Sequence, residues 1–242
     1  MKKPFLSIAI SAMLMLNVCS CEKEDLQFEA DNISVKVIEG ENWLHDFPLF
    51  LGINLKNPPQ FVIWLEDTEG NYISTLFVTK KIATEAWMSN DGNRRKEALP
   101  HWCYQRGIIY DDGLYLPTKE KPLIDGISGA TPKAGIELKV EPAAYLRQFV
   151  IKAEFNHSID FNDAFPENAN TGDSNYSGGD MGSGQPALVY SDLIDLDTNI
   201  KEYNLQLIGH SSADGTNGDI YEDLSSVTSA DRIVKEIVVQ IK

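Results

Sequence analysis

The sequence predicts an all-β protein built as a sandwich of two sheets. Three observations carry this. Ile33-Ser34-Val35-Lys36-Val37 alternates apolar and polar residues with a period of two. Gln60 to Leu65 and Tyr72 to Val78 are β-branched and aromatic runs separated by Glu66 to Asn71, which holds Asp67, Gly70 and Asn71, so the pair reads as a β-hairpin. Many short runs of this kind recur between turn clusters without regular helices, which is the signature of packed sheets.

In chain order, Lys2 and Lys3 precede an apolar run from Pro4 to Leu16, then small residues and cysteines, the pattern of a secretory signal peptide and too short for a spanning helix. Val18-Cys19-Ser20-Cys21 resembles a lipobox, with Ser20 as the small residue before a lipidated Cys21. Several acyl chains would then anchor the protein, since one chain holds a membrane only marginally. The plain alternative is a secreted protein cut nearby. Glu22 to Asp25 is an acidic cluster that resembles the export signal of surface lipoproteins and also suits a flexible tether over residues 21–32. The expected organisation is a signal peptide over 1–20, that tether, and one β-sandwich domain over 33–242, in the cell envelope as an outer-membrane lipoprotein facing the periplasm or the surface.

The 21 basic and 36 acidic residues give a net charge of −15, and loss of Lys2 and Lys3 takes it to −17. Such a surface argues against nucleic acid and against electrostatic adhesion to anionic lipid. Once Cys21 is acylated and Cys19 is cleaved away, Cys103 is left alone, which excludes an internal disulfide and an iron–sulfur or zinc-thiolate centre. Between Trp102 and Tyr104, it reads as a buried small hydrophobe.

Further strands are expected at Ile136 to Val140, Gln148 to Phe155, Ala187 to Ile194 and Tyr203 to Ile208. The run Ile233 to Ile241 fits either period. Six of its nine residues are Ile or Val, which favours a strand. Asn93 to Leu99, just before Pro100, is the one segment expected to be helical. Asn156 to Pro186 and Gly209 to Asp223 are long and rich in Asn, Asp, Ser and Gly. Loops of that length tend to be functional or mobile.

Asp125-Gly126-Ile127-Ser128-Gly129-Ala130-Thr131 resembles the acceptor motif of bacterial flavin transferases across all seven positions. The resemblance implies covalent FMN, esterified to Thr131, with Asp125, Ser128, Gly129 and Ala130 as recognition sequence. An acceptor must enter a narrow pocket, and Gly126, Gly129 and Ala130 supply the lack of bulk. The same residues also make an ordinary turn before a strand, and Pro132-Lys133 departs from the further hydroxyl residue that such motifs often carry. More widely, Val62 to Asp67 with Gly70 and Thr75-Leu76, then Asp125 to Pro132, then Glu154-Phe155-Asn156 are similar to a family of bacterial periplasmic proteins of unknown function. That resemblance implies an immunoglobulin-like sandwich. By association it implies a flavin transferase and a membrane redox protein as partners.

Calcium is a second cofactor candidate, through Asp160, Asn162 and Asp163 or through Asp214, Asn217, Asp219, Glu222 and Asp223. Neither set has EF-hand spacing, and acidic turns are common without metal. His45, His101, His157 and His210 lack zinc spacing, although His157 and His210, each beside a serine, would make a hydrolytic pair if they met. No catalytic constellation emerges. The leading expectation is an accessory or FMN carrier in extracytoplasmic electron transfer, and the alternative is a non-catalytic binding module that uses its two long loops.

Overall fold

A computed structural model describes residues 33–48, 53–87, 94–124, 126–140, 142–143 and 146–242. The signal peptide, Cys21, the tether and Asp125 lie outside the described residues.

The fold is all-β, with two sheets packed face to face. Strand β1 (Ile33–Glu39) is followed by a small separate hairpin of β2 (His45–Pro48) and β3 (Asn54–Asn57), then β4 (Gln60–Glu66) and β5 (Tyr72–Thr79). Helices α1 (Lys80–Thr84) and α2 (Pro100–Arg106) come next. The remaining strands are β6 (Ile127–Gly129), β7 (Ile136–Val140), β8 (Gln148–Asn156), β9 (Leu188–Asp195), β10 (Glu202–Asn204), β11 (Gln206–His210) and β12 (Val234–Ile241). One sheet has the order β10-β12-β1-β7 and the other β11-β9-β8-β4-β5-β6. Neither helix is long and apolar enough to cross a membrane.

Alternation in β1 turns Val35 and Val37 to the core, where they meet Phe61, Ile63, Phe149, Ile151 and Phe155 of the larger sheet. Phe61 stacks between Phe77 and Phe155 at centroid distances of 5.1 and 5.0 Å. All seven residues of β4 are buried, because the back of the larger sheet is covered as well. There Val62, Trp64, Val78 and Val189 pack against Ile82 of α1 and Leu99, Trp102 and Cys103 around α2. Continuous apolarity in β4 is the mark of a strand covered on both faces. Cys103 is buried, and desolvation pushes its thiol far up, so it is an inert hydrophobe.

The expected hairpin forms: β4 and β5 pair antiparallel, with bulges at Ile73 and Leu76. Its turn is closed by Asp67, whose carboxylate accepts the Glu69 and Asn71 N–H groups at 2.9 and 2.8 Å, with Gly70 at φ +84°. The run from Ile233 is a strand, β12, paired with β1 from Ile33↔Ile241 onward.

Two expectations need correction. The helix begins at Pro100, and the described residues 94–99 are not helical. Proline suits the first helical position, where its missing N–H has no partner to lose. Arg95, at φ +51°, cannot continue a helix, and its side chain is drawn into the interior. Tyr203 to Ile208 is two strands. Glu202–Asn204 pairs with β12 in one sheet and Gln206–His210 with β9 in the other, and buried Leu205 marks the crossing.

Candidate functional site

The acceptor-like segment forms the edge of the larger sheet. Strand β6 runs parallel to β5, with Phe77↔Ile127, Val78↔Ser128 and Thr79↔Gly129 in register. A β-carbon on Gly126 would lie 2.8 Å from the Thr75 β-carbon, and one on Gly129 3.1 Å from the Phe77 ring. Both glycines therefore have a packing role of their own, apart from any recognition role. Ser128 and Ala130 are exposed, and Thr131 is half-buried just past the strand.

Beyond Thr131 the chain is tied down again. Trp43 Nε1 donates to the Pro132 carbonyl at 3.2 Å, and the Gly135 N–H donates to Glu39 Oε2 at 2.9 Å. Ala130 and Thr131 thus span the short gap between two anchored points. Under this gap the Thr79 hydroxyl donates to Gln60 Oε1 at 2.8 Å, and Gln60 Nε2 donates to Thr131 Oγ1 at 3.5 Å, a long contact. Gln60 and Thr79 are buried.

A second polar cluster sits at the same end of the sheet, because Asn156 is opposite Gln60 across the β4–β8 ladder. The Asn156 Oδ1 accepts the Ser183 hydroxyl at 2.8 Å. Buried Arg95 binds Glu97 through Nε at 2.7 Å, and donates to Ser158 at 3.0 Å and Ser183 at 3.2 Å, with its guanidinium 4.7 Å from the centre of the Trp87 ring. Ser177, Ser183 and Gln185 are buried as well. The two ends of the 156–186 loop, residues 156–160 and 182–186, are thus packed with their polar groups turned inward, whereas residues 170–174 are exposed.

Further along the back face, Glu66 accepts from Trp64 Nε1 at 2.8 Å and Gln105 Nε2 at 3.0 Å, and pairs with Lys152 Nζ at 2.9 Å. Lys152 also reaches His101 Nε2 at 3.2 Å, while His101 Nδ1 lies 2.7 Å from the Gly218 carbonyl. A carbonyl only accepts, so Nδ1 carries the proton and Nε2 offers its lone pair to the ammonium. His101 is held neutral. Burial, with a smaller contribution from the Lys152 charge, keeps its pKa below the usual imidazole range. Glu154 accepts the first N–H groups of α2 from His101 and Trp102 at 3.2 and 2.9 Å, and its burial pushes it up to about 7. These groups hold α2 and the 217–219 segment onto the sheet.

The histidines do not form the hydrolytic pair. The His157 ring lies 5.2 Å from that of His45 and donates from Nε2 to the Asn42 carbonyl at 2.8 Å. His210 stacks on Tyr221 and uses Nδ1 on the Ser211 carbonyl. Several oxygens of the acidic loops are spent locally, whereas Asp160 Oδ1 accepts the distant Ser229 hydroxyl and its buried Oδ2 finds no hydrogen-bond partner among the described residues. Asn162 Oδ1 accepts the Ala164 and Phe165 N–H groups, Asp214 accepts from Thr216, Asn217 from Asp219 and Asp223 from Ser225. Among the described residues no three His, Cys, Asp or Glu side chains stand together as a metal site.

Sequence reasoning missed Gln60, Thr79, Arg95 and the Glu66–Lys152–His101 chain. A signal was present in part: Gln60 and Glu66 bracket the apolar run of β4, and Lys152 and Glu154 interrupt that of β8. In comparisons with protein-family models, curated proteins and solved structures, none matched this chain.

Proposed function

We propose that this is a lipid-anchored envelope protein, held by Cys21, with an immunoglobulin-like sandwich that carries FMN esterified to Thr131 for extracytoplasmic electron transfer. The observation that carries the reading is the setting of Thr131, half-exposed outside a strand between two tied points of the chain. A hydroxyl in that setting can be approached by an enzyme, whereas one locked within a strand ladder cannot.

In the transfer, the Thr131 hydroxyl oxygen attacks the FMN-side phosphorus of FAD. A P–O bond of the pyrophosphate breaks, AMP leaves with the bridging oxygen, and the hydroxyl proton passes to a base of the transferase. No oxidation state changes in this step. When bound, FMN supplies the redox chemistry, and this chain supplies attachment and orientation. Ala130 and Ser128, exposed beside Thr131, are free to meet the transferase.

The test is flavin fluorescence in a denaturing gel after incubation with a flavin transferase and FAD. A band in the wild type that is absent in Thr131→Val supports the reading. A dark wild-type band, with a transferase active on another acceptor, refutes it.

A further inference from the structure

We infer that Gln60 is a positioning residue for the acceptor hydroxyl, a role that rests on Thr131 being the FMN acceptor. Gln60 and Thr79 are a buried polar pair where β4 begins and β5 ends, beside the buried apolar Phe61, Val62, Phe77 and Val78. A buried amide is costly unless its groups are bonded. The Thr79 hydroxyl satisfies the Gln60 carbonyl at 2.8 Å and so turns the amide nitrogen toward Thr131 Oγ1. At 3.5 Å the contact is loose, as contacts in unliganded sites often are before the reacting complex tightens them.

This arrangement has two chemical consequences. Thr131 Oγ1 accepts from below through one lone pair, so its own proton points away from Gln60 and its second lone pair is left for the phosphorus. After transfer the same oxygen bridges a phosphodiester with one negative charge. The Gln60 amide then stands as a donor beside that anion, where a carboxylate would repel it.

The variants that test this keep the size of the side chain. Gln60→Glu turns the donor into an acceptor, and Gln60→Met removes both roles. Thr79→Val frees the amide without touching Thr131. Initial rates of FMN transfer are followed by intact mass at varied protein concentration, beside thermal unfolding of each variant. Losing one hydrogen bond to the reacting hydroxyl corresponds to roughly tenfold in rate. The expected result is therefore a fall in kcat of about tenfold or more for Gln60→Glu and Gln60→Met, with a smaller fall for Thr79→Val. KM for the protein substrate stays unchanged. In protein that does load, the ³¹P resonance of the ester shifts relative to wild type.

Folded Gln60 variants that load at the wild-type rate with the wild-type ³¹P shift overturn the role. A rise in KM that follows loss of thermal stability also overturns it, in favour of a merely structural one. Should both Gln60 variants fail to fold, an unchanged kcat in Thr79→Val overturns it too. A wild type that takes up no FMN removes the acceptor reading itself, which is a different result from any of these.

Discussion

Lys152→Met probes the buried charge chain on the back of the larger sheet. Lys152 and Glu66 lie 2.9 Å apart, with side chains 14% and 1% exposed. At an effective dielectric constant of about 20 their Coulomb attraction is about 6 kcal/mol before desolvation is counted. Breaking a buried pair from one side typically costs about 3–5 kcal/mol, because the remaining charge stays buried. Glu66 keeps the Trp64 and Gln105 donors, so the low end applies, about 3 kcal/mol. For a domain of this size that lowers Tm by roughly 6–12 °C.

Removing the second charge as well relieves the first. Lys152→Met with Glu66→Gln should therefore be less destabilised than the sum of the single variants by about 2 kcal/mol. Urea denaturation of the four proteins at pH 7.5, with m unchanged, measures the cycle. In Lys152→Met the His101 pKa rises, since a nearby positive charge is gone. Single variants that cost under about 1 kcal/mol, or that add within about 0.5 kcal/mol, would refute the claim that this chain clamps α2.

Two further predictions concern the loop layer. His157 falls to about 4 through burial, against 6.5 for a free imidazole, so between these values the unfolded chain binds the extra proton. Its contribution is intact above pH 6.5 and disappears as pH falls toward 4, by about 3 kcal/mol in all; His157→Gln should lack that part of the pH dependence in denaturation at pH 4.5 and 7.5, and parallel curves would contradict it. Gly184, at φ +77°, leaves a β-carbon only 2.4 Å from the Asp160 carbonyl oxygen. Gly184→Ala should cost upwards of about 2 kcal/mol, and a loss below about 0.5 kcal/mol in denaturant would show that the loop adjusts freely.

Much of the fold was legible because periodicity reports burial directly. The alternation of β1, the hairpin of β4 and β5, and the Ile/Val content of β12 each pointed to the element that forms. What escaped was decided at long range. Strand β6 has three residues and exists because β5 offers it an edge. The break at Leu205 depends on which sheet each neighbour joins, which no local period encodes. Arg95 seemed to belong to a helix, but its buried hydrogen bonds to Ser158 and Ser183, some sixty and ninety positions away, override local propensity. In the acceptor segment, the lack of bulk at Gly126 and Gly129 was legible as a motif. Their contacts with Thr75 and Phe77, and the Gln60–Thr79 pair beneath, needed the sheet to be assembled first.

Whether Thr131 accepts the flavin, as proposed, is decided by intact mass. The soluble domain is co-expressed in the periplasm with a flavin transferase, beside Thr131→Ala, and the modified peptide is mapped. The expected result is a gain of one FMN on the peptide holding Thr131 and no gain in the variant. An unchanged mass, with the transferase active on a known acceptor, would contradict it and reduce residues 126–131 to the edge strand and turn that pack against β5.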